Sequence, residues 1–555
     1  MRRASLRIAC ALAALWLPAA AFAQEQGAAD TATSDAHAGR QSAQHHSEIV
    51  PYIEAMQVVT AELEPFDNTV TYTTVAVGVD ANITGRNSAA SVSLRYERRF
   101  DWDHDNADGD AISGIARASL GVAEGLTFEA GGLAAQTRVE GSGFATPGGF
   151  VTNEDTSSQV YSVYAGPSVH AMEGDVEVEG HYLLGYTRVE EPDVLLTAPG
   201  AVPADVFDES TTQMAYSRVG TRPNTVAPVG LGLGAGYTRQ DISNLDQRIK
   251  DGFVRADVTV PVSPTVALVG GVGYENVEVS NRDAVRDVNG NPVIGSDGRY
   301  VTNDSAPRQI SYATEGLIWD VGVMWRPSRR TSLEFYVGER YGEMTYHGNF
   351  SYAPDSRSSL NISVYDGLTS LGGMMVDQLS GLPTQFDAVR NAITGQTGGC
   401  VAALQGNPCL ASAFGSVRSS VYRSRGIASS YSVDVGRTQF GVGVGYDRRE
   451  YIGAEGTVLA GIDGIVDETV WLAAYAGTRL DEVSSLNFNA NVDWFESTLD
   501  LDSDVIGYNS SLAYQRDLTR GLTGTAAVGL DGISRENLPD FLSASALLGL
   551  RYSFR

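Results

Sequence analysis

The final stretch of the chain, Phe541 to Arg555, reads FLSASALLGLRYSFR, and no other feature limits the fold so sharply. Leu542, Ala544, Ala546, Leu548, Leu550, Tyr552 and Phe554 share one face of a period-2 strand. Ser543, Ser545, Gly549, Arg551 and Ser553 share the other, with Leu547 as the exception. The segment is long enough to cross a bilayer when tilted, and an aromatic pair ends it. A lone strand cannot stand in lipid, because its backbone N–H and C=O groups would have no partners there. The rest of the chain must therefore supply a closed barrel.

The other end of the chain reads as an export signal. Arg2, Arg3 and Arg7 precede an apolar run from Ile8 to Leu17, and Ala21-Phe22-Ala23 precedes Gln24, so cleavage is expected after Ala23. That run is too short to span a membrane, and no later stretch approaches the length of a transmembrane helix. Residues 24–48 are small and polar without periodicity, which predicts a flexible periplasmic lead and no N-terminal plug domain. With 61 Gly, 25 Tyr and only 19% charged residues, the composition suits strands that alternate between lipid and lumen. The formal charge is −28, and loss of the three signal arginines takes it to −31, which argues against nucleic acid as a partner.

From Pro51 onward the alternation of apolar and polar residues hardly stops. About 22 strands can be placed, with a range of 18–24, from 51–63 to 541–555. Their connections fall into two alternating sets. One is short, as at Arg86-Asn87, Glu124-Gly125, Glu173-Gly174 and Thr519-Arg520. The other is mostly longer and polar, as at 141–157, 191–209, 281–308, 371–427 and 452–464. Two unequal rims are what an up-and-down barrel requires, with both termini on the short-turn side. The stretch 330–353 keeps this rhythm only with a tight outer turn between Glu339 and Glu343. The predicted fold is all-β: one transmembrane antiparallel up-and-down β-barrel over 49–555, carrying a long outer-loop insert at 371–427. Trp319, Trp325, Trp471 and Trp494 are expected in the interfacial girdles.

Three stretches resemble known families. The terminal strand, with Leu548, Leu550, Tyr552 and Phe554, is similar to the last strand of Gram-negative outer-membrane barrels, although Arg555 follows the aromatic that usually ends it. The resemblance implies the outer membrane as location, lipid and lipopolysaccharide as surroundings, and recognition of this strand by the barrel-assembly machinery. Pro51 to Phe100 resembles the opening of a large barrel family of sphingomonad-type Alphaproteobacteria. Trp325 to Gly342 (WRPSRRTSLEFYVGERYG), followed by RSSLNISVYDGLTS, is similar to uncharacterised outer-membrane proteins associated with the exosortase (PEP-CTERM) system. That resemblance implies exopolysaccharide-export components as partners, and no catalytic residues. Members often bear the label of a preprotein-translocase accessory subunit, a small protein anchored by one helix, which nothing in these residues matches.

Two glycine stripes and one loop carry what local chemistry there is. Gly230, Gly232, Gly234 and Gly236 alternate with Leu231, Leu233, Ala235 and Tyr237, and Gly441, Gly443 and Gly445 alternate with Phe440, Val442, Val444 and Tyr446. Period 2 without a following helix excludes a phosphate loop. Such stripes provide strand curvature with a small lumen-facing surface, or they make room for an inserted segment. The insert 371–427 is the candidate segment. Within it Thr384 is expected to cap a short helix placing Phe386, Val389 and Ile393 on one gate-forming face. Cys400 and Cys409, the two cysteines left after export, are expected to form a disulfide worth roughly 2–3 kcal/mol.

No catalytic set, metal site or cofactor is expected. His45 and His46 lack a third ligand, His104 lies among acidic residues of a loop, and His170 and His181 flank a short turn on the wrong rim for surface chemistry. His347, near Glu343 and Tyr346, is the best position for a barrel hydrolase, though a histidine satisfied by its neighbours accounts for it. The acidic stretches 103–110 and 287–297 lack calcium-loop spacing and read as solvated turns. The function expected is a passive or loop-gated pore for solutes or for an envelope polymer such as an exopolysaccharide. The alternatives are a sealed structural or surface-interaction barrel and, third, a hydrolase.

Overall fold

The computed structural model of the chain describes residues 46–65, 68–102, 109–139, 144–147, 157–190, 206–404, 409–498, 504–535 and 539–554. The expected export signal and nearly all of the expected lead lie outside them. The wall is built from 22 antiparallel strands: β1 (His46–Glu64), β2 (Asn68–Thr84), β3 (Ser88–Asp101), β4 (Asp110–Ala123), β5 (Leu126–Val139), β6 (Ser157–Glu173), β7 (Val176–Glu190), β8 (Glu209–Thr221), β9 (Gly230–Ile242), β10 (Gln247–Ser263) and β11 (Val266–Asn281). They continue as β12 (Gln309–Ser328), β13 (Thr331–Arg340), β14 (Glu343–Asp355), β15 (Ser358–Thr369), β16 (Tyr422–Val435), β17 (Thr438–Tyr451), β18 (Val466–Arg479), β19 (Ser484–Ser497), β20 (Val505–Thr519), β21 (Leu522–Arg535) and β22 (Phe541–Ser553). Each pairs with its sequence neighbour. The first and last pair with each other through Val59 and Ala546, which closes the ring. No N-terminal plug domain occurs among the described residues.

Why the ring forms is visible in its last stave. Leu548 is 70% exposed and Leu550 50%, both on the lipid face, whereas Ser543 and Ser545 are buried on the inner face. Leu547, out of pattern in the sequence, turns inward and packs with Val58, Ala513 and Ala527. The same alternation puts Leu233, Val272, Val321 and Leu512 outside, so the exposed apolar residues form a lipid-facing band. The tight turn expected before Glu343 is present: Tyr341 and Gly342 join Arg340 to Glu343, both with positive φ.

Three features depart from the sequence reading. Strand β16 begins at Tyr422, which confines the insert to 370–421 and not 371–427. Trp471 leaves the aromatic girdle. Val470 and Leu472 take the outward positions, and the Trp471 ring is buried inside against the backbone space that Gly443 and Gly445 leave open. Trp319, Trp325 and Trp494 do lie outward, and the Trp319 indole donates to Glu339 at 3.0 Å. The third departure lies within the insert.

The face assignment has a direct test. Leu548→Arg places a charge in hydrocarbon at a cost of about 2–4 kcal/mol near mid-membrane and should abolish the heat-modifiable barrel in outer-membrane fractions. Asn487→Arg, on the water-exposed inner face beside Gln515, should leave it intact.

Candidate functional site in the lumen

The segment between Thr369 and Tyr422 does not stay on the outer rim; it descends through the barrel and returns. Its two ends are cross-strand partners on β15 and β16. Ser370 caps helix α1 (Leu371–Gly381), accepting the Gly373 N–H at 3.3 Å. Ser370 is itself held to the Gln240 side chain of β9 through its hydroxyl at 2.7 Å and its N–H at 3.0 Å. Leu371, Met374, Met375, Val376 and Leu379 are buried in one cluster with the inward Leu133, Val160, Tyr164, Leu183 and Ile242. Close approach needs glycine on the wall: a Cβ at Gly185 would collide with Val376. The opposite side of the helix, at Asp377, is exposed within the lumen.

Below α1 the chain reaches the periplasmic end of β2. The Gln385 side chain donates to Thr84, next to the turn 85–87, and Asn82 donates to Asp387 at 3.3 Å. Here the expected helix over Phe386, Val389 and Ile393 is absent. Asp387–Arg390 and Thr397–Ala402 instead pair as a small hairpin. The Asn391 side chain accepts the Ile393 N–H at 2.9 Å, and Gly395 has φ +66, so the chain reverses where a helix would continue. Phe386 is buried near β3, its N–H donating to Ser91 at 3.1 Å. Val389 is half-buried, and Ile393 packs on a separate patch formed by Val58, Ala513, Ala527 and Leu547. The three residues touch different parts of the wall and share no gate face.

Polar ties dominate the hairpin. The Arg390 guanidinium donates to Ser113 at 2.8 Å, to the Ser93 hydroxyl and carbonyl at 3.0 Å each, and to the Gly395 carbonyl at 2.7 Å. The Ala392 N–H donates to Ser511 of β20 at 3.0 Å, and the Gln136 N–H of β5 to the Gln396 side chain at 3.1 Å. Cys400 and Cys409 are disulfide-bonded, with Cα atoms 4.0 Å apart. The bridge lies over Gly443, where an added Cβ would stand 2.5 Å from Cys409 Sγ, with Trp471 alongside.

The two glycine stripes therefore differ in use. Gly443 makes room for the insert's disulfide, while Gly441 and Gly445 accommodate the Tyr475 and Trp471 rings. Gly230, Gly232, Gly234 and Gly236 face inward but receive no insert residue. Gly232 lies beneath Arg218 and Asp257, Gly236 beneath Phe253, and Gly230 and Gly234 beside β8 and Pro223. The segment ends with α2 (Ala411–Phe414) and a run tied to the outer loops. Ser416 bridges to Phe144, Arg418 to Val206, and the Gln247 side chain accepts the Val421 N–H at 3.2 Å.

Nearer the short-turn rim than Gln240 and Gln247, the inner face of β8–β13 is left largely free of the insert and carries paired charges. Arg218 bonds Asp257 at 2.8 Å, and Arg255 bonds Asp320. Arg326 bonds Glu334 with each side chain more than a third exposed, so solvent reaches that wall from inside the ring. Among the described histidines, His347 stacks on Tyr336 at 4.9 Å, His181 tilts over Tyr216 at 5.7 Å, and His170 lies 3.8 Å from Glu177. His45 and His104 fall outside the described residues, which hold no cluster of three or more metal-ligating side chains. The Asp287 carboxylate is engaged by the N–H groups of Asn291 and Asn289 in a closed acidic turn; these bonds, Asn291 first, hold it below the usual carboxylate range.

Sequence reasoning missed α1, Gln240 and Arg390. The helix had a signal in Ser370 followed by an apolar run and, after Leu382, Pro383. Gln240 and Arg390 had none, since their roles arise only when the segment turns inward.

Against known proteins, the chain is similar in fold to three solved structures. These are the FrpB iron transporter from Neisseria meningitidis (10% identity, TM-score 0.40, covering 91% of this chain and 81% of that one), the ferric-catecholate import receptor Fiu from E. coli K12 in its closed form (8%, 0.42, 91% and 81%), and the alcaligin outer-membrane receptor FauA from Bordetella pertussis (10%, 0.37, 90% and 76%). No family model and no curated protein matches the sequence.

The fit of the disulfide on Gly443 predicts a local lesion. Gly443→Val should displace the bridge, so that Cys400 and Cys409 become reducible under conditions that spare the parent and the segment 370–421 becomes cleavable by protease. Gly270→Val, at a wall glycine with nothing within 4 Å of an added Cβ, should change neither.

Proposed function

We propose that this outer-membrane barrel is a loop-gated pore in which the segment 370–421 is the gate. One observation carries the reading. A single chain segment crosses a 22-stranded lumen, is covalently tied only to two adjacent strands, and leaves the charged inner wall of β8–β13 open to solvent. A ring of this size is wide enough to pass a solute or an extended polymer when little fills it. The paired Arg218–Asp257, Arg255–Asp320 and Arg326–Glu334 groups give that wall both signs of charge, which suits hydrated polar cargo and favours neither ion sign. An envelope polymer delivered by periplasmic export components is the cargo suggested by the sequence resemblance.

The gate is held by an apolar footing that includes α1, Phe386, Val401, Leu410 and Phe414, and by hydrogen bonds through Ser93, Ser113, Ser511, Gln136 and Gln240. The hydrogen bonds are worth about 0.5–1.5 kcal/mol each and exchange readily for water, so the apolar footing sets the cost of moving the segment. Because Thr369 and Tyr422 face each other across the ladder, a two-residue turn can replace residues 370–421 without disturbing β15 or β16. The shortened protein should assemble normally, conduct more in planar bilayers and admit larger antibiotics. Unchanged conductance and permeability in a correctly assembled deletion would contradict gating and favour a structural barrel.

A further inference from the structure

Between β12 and β16 the wall loses its strand ladder on the outer side. Strand β13 spans Thr331–Arg340, a length that just crosses a bilayer when tilted, whereas β12 continues outward from Trp319 to Gln309. The β12–β13 ladder ends at Trp319 and Glu339, and outboard of it β12 pairs with β11 alone. On the other side the β14–β15 ladder ends at Gly348 and Val364. Beyond it Tyr365–Thr369 pair only with β16, and Glu343–His347 only with β13. About seven residues of β15 are in ladder with β14, fewer than a strand needs to cross hydrocarbon, so the gap reaches down into the outer leaflet.

Side chains close this gap by overlap. Val364 and Ile427 mark the outward face of β15 and β16, and strand alternation puts Asp366, Leu368, Arg423 and Arg425 on that same face. Yet Leu368 is buried, in a cluster with Tyr341 and the inward-facing Val277 of β11. The outer ends of β15 and β16 are therefore tucked behind the inner surface of β11 and β12, with the β13–β14 turn clamped between them. Arg423 bonds Asp366 at 2.7 Å and Glu343 at 2.9 Å, and Arg425 bonds Glu343 at 2.5 Å. The Tyr341 hydroxyl reaches Asp251 at 2.9 Å, and the Tyr312 hydroxyl donates to the Tyr341 carbonyl at 2.6 Å. Such a seam can part without breaking a strand ladder.

Its surroundings indicate what it would pass. The outer mouth is apolar and lipid-facing, with Leu317 83% exposed and Met344 55%. Behind it, Tyr312 and Ile452 pack against both the seam cluster and the large apolar cluster around α1, so an apolar surface runs unbroken from the seam into the lumen. We propose that the seam is a lateral portal through which a single-chain acyl amphiphile moves between the outer leaflet and the lumen. Its chain would follow Leu317, Tyr312 and Ile452, and its polar head the Arg423–Glu343–Arg425 cluster. The portal is independent of axial conduction and stands or falls separately from it.

Photo-crosslinking of the full-length protein in outer membranes supplied with deuterated palmitate tests this. Benzoylphenylalanine replaces Leu317 at the lipid mouth, Tyr312 behind the seam, or Asn487 on the inner face of β19, away from the apolar clusters. The labelled chain should be captured at 317 and 312 and not at 487; capture at 317 alone overturns the portal. A Thr314→Cys/Gly342→Cys pair, where an added Cβ at 342 would stand 3.8 Å from Thr314 Oγ1, should when oxidised abolish capture at 312 and spare 317. Gly342 has a positive φ, so the pair is backed by Glu343→Arg, which sets a third cation beside Arg423 and Arg425 and should raise capture at 312. Capture at 312 that neither change moves would also overturn the portal.

Discussion

Everything in this molecule follows from the demand that backbone groups in lipid be paired within the protein. A chain whose strands are apolar on one face and small or polar on the other can meet that demand only as a closed ring. The pairing of β1 with β22 is therefore the contact on which the other staves depend. The apolar side chains need no protein partner outside, because lipid receives them, and the inner face is free to be polar. Arg551, next to the C-terminal aromatics, shows the result: it lies 3.6 Å from the Tyr52 ring centroid and bonds Asp80 at 2.7 Å, inside the ring.

The same demand explains the insert and the seam. A loop that enters the lumen must satisfy its own backbone groups there, and it does so with a capped helix, a hairpin and wall side chains such as Gln240, Ser91 and Ser511. Where β13 and β14 stop short, the wall loses its ladder, and the neighbouring strands overlap to cover the loss. The seam lies in the outer half of the molecule, and the insert leaves and rejoins the wall there before reaching down to the periplasmic end of β2. The short-turn rim is tied by turns of a few residues, such as Gly85 to Ser88 and Thr519 to Leu522.

The wall was legible in the sequence because period 2 is a strong signal when one face must be apolar for its whole length. Even the tight turn at Tyr341-Gly342 could be placed from the rhythm of the rims. Packing inside the lumen was not legible in the same way. Phe386, Val389 and Ile393 are spaced like one helix face, but Asn391 and Gly395 impose a reversal between two short strands, and local turn chemistry outweighed the spacing. Trp471 was assigned by residue type; counting phase from Val470 and Leu472 turns it inward. Both glycine stripes lie on the inner face, yet only tertiary contact separates Gly443, which seats a disulfide, from Gly232, which lies under an ion pair. The seam had its trace in the short hairpin, but overlap of strand ends has no sequence period to announce it.

The central claim is that the segment 370–421 resides inside the ring as a movable element, reaching down to the periplasmic end of β2. A Thr84→Cys/Gln385→Cys pair addresses it most directly, because those side chains meet only if the segment descends that far. Single-channel conductance of the purified pair, oxidised and then reduced, is the measurement, with Gln385→Cys alone as the control for loss of the Cys400–Cys409 bridge. The account predicts that the cross-link forms during assembly, holds conductance low, and releases it on reduction beyond the rise seen in the single variant. A pair that never cross-links in a correctly assembled barrel, or one whose conductance ignores the bond, would contradict it.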